Sequence, residues 1–193
     1  MTTANKITIA RILLVPFFIV QMIYYVRSGE EWYRLWAIAS FALAAMADGL
    51  DGYIARRYNQ RSELGAILDP LADKLLLVSG IVILSFNNAP YFVRIPFWLT
   101  ATIISRDVIV LIGMAVIHYT SGKVTVKPHL TGKVATVLQM ATVLWTLFQW
   151  SPRALSYFTV AAAIFTGVSG LFYIYDGVRQ LNAHPASAAT PKQ

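Results

Sequence analysis

Six apolar stretches, each close to the length needed to cross a bilayer, run through this chain with short polar connections between them. They lie at 7–26, 35–56, 65–86, 96–119, 133–150 and 155–175. Crossing ~30 Å of hydrocarbon takes about 20 apolar residues in a helix. Only helices and closed barrels satisfy their backbone polar groups in lipid. The pattern predicts an all-α, polytopic membrane protein with six transmembrane helices in a single bundle. Composition agrees: 57% of the 193 residues are apolar and 13% are charged, whereas a soluble domain carries about 25% charged residues. Mean hydropathy is +0.58. The aromatic content of 13% excludes disorder over most of the length. The absence of cysteine excludes disulfides and thiolate metal sites.

The bundle is expected over residues 1–181. Residues 182–193, NAHPASAATPKQ, read as a disordered cytoplasmic tail. The N-terminus does not read as a signal peptide, because its apolar run continues past Pro16 to Tyr25 with no small-residue cleavage site after it. The formal net charge is +7. The basic residues fall between apolar runs, so the expected partners are anionic lipid head groups and not nucleic acid. With six spans both termini share one side. That side holds ten basic residues: Lys6, Arg11, Arg56, Arg57, Arg61, Lys123, Lys127, Lys133, Arg179 and Lys192. The other side holds four, Arg27, Arg34, Arg94 and Arg153. The positive-inside bias predicts termini in the cytoplasm and a place in the inner (cytoplasmic) membrane.

Residues 48–74 read DGLDGYIARRYNQRSELGAILDPLADK and hold four aspartates at the ends of apolar helices. Asp48 and Asp51 are three apart and Asp69 and Asp73 four apart, so each pair shares one helix face. A short basic loop folds the two helices into an antiparallel hairpin, and the carboxylate pairs can then face each other near the cytoplasmic surface. Four such carboxylates repel one another, and desolvating them is costly. Hard oxygen donors of this kind suit Mg²⁺ or Mn²⁺, and two ions there would clamp a pyrophosphate. Gly49, Gly52 and Gly65 leave room for close approach to the backbone. Arg56 supplies a planar fork for phosphate oxygens.

The segment fits D-x2-D-G-x2-A-R-x8-G-x3-D-x3-D without a gap, through Asp48, Asp51, Gly52, Ala55, Arg56, Gly65, Asp69 and Asp73. It resembles the signature of the CDP-alcohol phosphatidyltransferases, whose six-span layout and length the chain also matches. The resemblance implies phospholipid biosynthesis: an alcohol hydroxyl attacks the β-phosphorus of CDP-diacylglycerol, releasing CMP. By similarity Asp48, Asp51 and Asp69 ligate metal, while Asp73 ligates the second of two Mg²⁺ or Mn²⁺ ions and serves as general base. Gly52, Ala55 and Arg56, with Gly65, line the nucleotide and pyrophosphate pocket. The active site would face the cytoplasm, and a homodimer is what the family suggests.

The N-terminal NKITIARILLVPFF and LGAILDPLADKLLL resemble the glycerol-acceptor branch, the phosphatidylglycerophosphate and cardiolipin synthases. Glycerol 3-phosphate is preferred as acceptor, since Arg106, Lys123, Lys127 and Lys133 form a basic set suited to a phosphate monoester. Arg106-Asp107 and VKPHLTGKVATVLQ are similar to the cardiolipin synthases, which leaves phosphatidylglycerol as the alternative acceptor, with inositol phosphate behind it. Arg106-Asp107 also reads as an internal ion pair. A UbiA-type prenyltransferase would carry two separated Asp-rich motifs on a longer chain, and an ion-coupled transporter would place polar groups near mid-bilayer in several spans. The spacing of DGLDG excludes an EF-hand. His118, His129 and His184 have no metal-site spacing and read as interfacial. Tyr24, Tyr25, Trp32, Trp36, Trp150 and Tyr157 read as aromatic belts. Gly167 and Gly170 read as points of close helix approach.

Overall fold

A computed structural model describes residues 3–57, 63–86, 88–121 and 129–182. Among them are six helices and no strand: α1 Thr3–Ser28, α2 Glu31–Arg57, α3 Glu63–Ser85, α4 Phe97–Ser121, α5 Leu130–Leu147 and α6 Pro152–Asn182. The all-α expectation holds. Four helices contain a stretch long and apolar enough to cross a membrane: Thr8–Ser28, Phe97–Ile117, Leu130–Leu147 and Pro152–Gln180. At 27 and 23 residues, α2 and α3 reach about 40 and 35 Å. In α3 the described residues include a shorter apolar helical stretch, Lys74–Ser85. All six stretches are thus helical, and among the described residues four are long and apolar enough to span a membrane. The tail at 183–193 lies outside the described residues.

Large apolar side chains stand exposed along the helices, among them Leu111 and Ile112 on α4 and Ile164 and Leu171 on α6. Water would penalise such a surface. Lipid does not.

Two compact units are present. The first joins α1, α2 and α3 with the α5–α6 junction at 143–155. Here α1 packs on both α2 and α3. In lipid the contact gains little from the hydrophobic effect, so close fit has to hold the helices together. Small residues supply it. Ala37 and Ala44 are fully buried on α2, and a Cβ at Gly80 would come within 3.2 Å of Val143 Cγ1 and 3.4 Å of Phe41 Cε2. Phe18 and Phe41 meet with ring centroids 5.5 Å apart.

At the end of this unit remote from the aspartates, polar groups clasp three connections. Gln149 Nε2 donates to Tyr25 Oη at 2.8 Å and to the Tyr91 carbonyl at 2.7 Å. Tyr25 Oη donates to Glu31 Oε1. Tyr25 is therefore buried, at 1% exposure, and does not join the aromatic belt expected of it, whereas Trp32, Trp150 and Tyr157 are exposed. Gly29 ends α1 with φ +73°, its N–H donating to the Tyr25 carbonyl at 2.8 Å. That is the left-handed helix stop that glycine adopts without steric cost. A Cβ there would stand 2.6 Å from Tyr91 Oη. Gly29→Ala should cost about 1–2 kcal/mol for the backbone alone, with a further loss from displacing Tyr91. The expected result is a lower thermal midpoint in detergent with substrate affinities unchanged.

The second unit is built on α4, α5 up to Thr142 and α6 from Ser156. Gln139 Nε2 donates to Thr166 Oγ1 at 2.7 Å, with both residues buried. Such interhelical hydrogen bonds contribute roughly 0.6–2 kcal/mol in membranes.

Candidate active site

The backbone delivers what the aspartate spacing requires. α2 stays helical through Asp48 and Asp51 to Arg57, and α3 is helical from Glu63 through Asp69 and Asp73. Each pair therefore keeps its three- or four-residue spacing on one helix face. The two helices contact each other within the first unit, and only residues 58–62 separate them in sequence. The side chains of Asp48, Asp51, Gly52, Ala55, Arg56, Gly65, Asp69 and Asp73 lie outside the described residues. Among the described residues no group of three or more His, Cys, Asp or Glu could hold a metal ion. The motif is a candidate donor set. It is all carboxylate oxygen, on two adjoining helices, and that chemistry fits a hard divalent cation.

The second unit holds the other set of predicted residues, and here side chains are in view. Arg106, in the middle of α4, retains 15% side-chain exposure, as does Asp107. Its Nη1 donates to Asp107 Oδ1 at 2.8 Å and its Nη2 to Ser169 Oγ at 2.9 Å. Its Cζ lies 5.0 Å from the centroid of the Tyr173 ring, a cation–π contact. The internal ion pair read from the sequence is present.

Two glycines make the slot that holds Arg106. A Cβ at Gly170 would stand 3.3 Å from Arg106 Cγ, and one at Gly132 would stand 3.3 Å from Arg106 Nη2 and 3.2 Å from Ser169 Oγ. Gly170 thus admits an arginine stem, whereas a Cβ at Gly167 would meet nothing within 4 Å. Because Gly132 lies against the guanidinium, the first turn of α5 is brought to Arg106. Lys133 follows Gly132 and is exposed. Lys123 and Lys127 lie outside the described residues.

One pairing escaped the sequence reading. His129 Nε2 lies 2.7 Å from Asp176 Oδ2, 47 residues away. The imidazole stacks on Phe172 at 5.3 Å and meets Tyr173 edge-on at 5.6 Å. Asp176 and the two aromatic rings lie within GLFYIYDG, residues 170–177, and His129 lies outside it. Tyr173 is shared between Arg106 and His129, and Asp176, one of only nine acidic residues in the chain, was the available signal.

The model of the CDP-alcohol phosphatidyltransferase family matches residues 1–174. The chain is 33% identical over 147 residues to a protein of Escherichia coli K12 named CDP-diacylglycerol–glycerol-3-phosphate 3-phosphatidyltransferase. The same identity and length relate it to a protein of that name from Shigella flexneri serotype 5b. In both, the match covers 76% of this chain and 76% of the relative. The family match takes in the whole aspartate motif together with Arg106, Lys133 and Tyr173. By that coverage, and with described residues that are helical and include four membrane-length helices, this protein belongs to the CDP-alcohol phosphatidyltransferase family.

Proposed function

We propose that the protein transfers the phosphatidyl group of CDP-diacylglycerol to glycerol 3-phosphate, releasing CMP and forming phosphatidylglycerophosphate. The observation that carries the choice of acceptor is the identity to two proteins named for that reaction. The basic set supports it: a fixed Arg106 with Lys123, Lys127 and Lys133 is suited to a phosphate monoester. Phosphatidylglycerol, the acceptor of a cardiolipin synthase, is the second reading, favoured by the Arg106-Asp107 dipeptide.

Asp48, Asp51, Asp69 and Asp73 would hold two Mg²⁺ or Mn²⁺ ions. Bound there, such ions offset negative charge on the pyrophosphate and on the departing CMP. Asp73 accepts the proton of the acceptor hydroxyl, which is a poor nucleophile until that proton is taken. The hydroxyl oxygen then bonds to the β-phosphorus, and the bond from that phosphorus to the bridging oxygen breaks. Gly52, Ala55 and Gly65 leave space for the nucleotide, and Arg56 faces phosphate oxygens with a bidentate fork. Purified protein with CDP-diacylglycerol and a panel of acceptors tests the reading. Phosphatidylglycerophosphate should be the lipid product, and cardiolipin formed from phosphatidylglycerol alone would favour the second reading.

If Arg106 grips the acceptor phosphate, Arg106→Ala should raise the acceptor KM more than it lowers kcat, because ground-state and transition-state binding are lost together. An unchanged KM would return Arg106 to its ion pair with Asp107. We further propose that all six helices span, with both termini and the motif facing the cytoplasm. Ten basic residues against four support that orientation. A cysteine from Ser62→Cys should then resist a membrane-impermeant thiol reagent in intact cells. Ready labelling would reverse the topology.

A further inference from the structure

In α1 the buried positions from the N-terminal half onward are Thr8, Arg11, Val15, Phe18, Met22 and Tyr25. This is the three-and-four spacing of a helix seam. Five of the six are uncharged. The sixth is an arginine with 0% exposure. Sequence alone had counted Arg11 among the cytoplasmic surface cations. A guanidinium buried to that extent, on a membrane helix, requires an anion close by.

Four of the nine acidic residues of the chain are engaged elsewhere or stand far from Arg11 along α1. Glu30 and Glu31 lie at the other end of α1, where Glu31 already engages Arg34 and Tyr25. Asp107 pairs with Arg106 and Asp176 with His129. Glu63 and the four motif aspartates remain, at the adjoining ends of α2 and α3, the two helices against which α1 packs.

Register narrows the choice. α1 and α2 run antiparallel, with Tyr24 stacked on Tyr33 at 5.4 Å and Phe18 against Phe41 at 5.5 Å. Arg11 stands seven residues before Phe18, and Asp48 stands seven residues after Phe41. Seven residues are two helical turns and return nearly to the same face. The backbone register therefore sets Arg11 level with Asp48.

We infer that Arg11 is the buried counter-charge of the motif, a positioning residue that holds Asp48 and its neighbouring carboxylates together and competes with divalent cations for them. The part concerning metal rests on the proposed function. The pairing itself does not. Lys74, one residue after Asp73, is partly exposed on a flexible stem and cannot substitute as a rigid fork.

The test uses the full chain purified in detergent. Thermal unfolding in metal-free buffer is measured for Arg11→Gln, Asp48→Asn and the double variant. Coupling predicts that the double variant loses less than the summed losses of the single variants, because neither leaves an unbalanced partner. If Arg11→Gln alone does not fold, adding Asp48→Asn should restore folded protein. Additive losses, or no restoration, overturn the inference. The second arm titrates Mn²⁺ alone and reads the free ion by electron paramagnetic resonance. Removing a nearby positive charge should tighten Mn²⁺ binding at least about threefold in Arg11→Gln, whereas Arg11→Lys stays within about twofold of the parent. Unchanged or weaker binding in folded Arg11→Gln overturns the competitive role, since a merely structural defect loosens the site. Parent protein that binds Mn²⁺ yet releases no CMP from CDP-diacylglycerol with glycerol 3-phosphate would defeat the proposed reaction and leave Arg11 standing.

Discussion

Asp73→Asn should lower phosphatidyl transfer by at least the roughly 10²–10⁴-fold that general-base assistance contributes, while the protein still binds CDP-diacylglycerol. The two effects separate because Asp73 has two proposed roles. As a ligand it shares its duty with Asp48, Asp51 and Asp69, which can still hold at least one ion. As a base it has no substitute, and the acceptor hydroxyl then keeps its proton. Asparagine has nearly the shape of aspartate and cannot take that proton. Measuring CDP-lipid affinity alongside kcat checks the assignment, and a variant with near-normal kcat would remove Asp73 from the role. α3 is helical across this position, so Asp73 keeps its four-residue spacing from Asp69 on the same helix.

Removing divalent cations should abolish CMP release altogether. In the proposed site, four carboxylates from the adjoining ends of α2 and α3 carry more negative charge than Arg11, as inferred, and Lys74 would offset, and a pyrophosphate adds to it. Without cations the substrate is repelled from the site that must bind it. Activity should vanish in excess chelator and return on adding Mg²⁺ or Mn²⁺. Asp48→Asn or Asp69→Asn should weaken metal binding and turnover together, in contrast with Asp73→Asn. Full CMP release after verified metal removal would overturn the two-ion reading.

Much of the protein was legible because its signals are local. Apolar runs about 20 residues long mark helices whatever they pack against, and all six predicted stretches prove helical. The aspartate motif is legible for the same reason: spacings of three and four on a helix define a face before any partner is known. The family match over residues 1–174 agrees with that local pattern.

Segment by segment, then, the chain encodes its helical class, the aspartate pairs on their helix faces and its family. Tertiary structure decided which side of each helix is buried. In a soluble protein amphipathicity reveals this, but a membrane helix is apolar toward lipid and toward its neighbours alike, so the sequence pattern barely distinguishes the two faces. Arg11 could be counted as a surface cation until α1 was seen packed on α2 and α3, with no surface left on that side chain. Arg106 needed Gly132 and Gly170 from two other helices before its slot existed. His129 and Asp176 meet across 47 residues, and Tyr25 leaves the aromatic belt because Gln149, 124 residues away, donates to its hydroxyl. Each of these contacts depends on how helices distant in sequence are juxtaposed, and no spacing within a single helix encodes that.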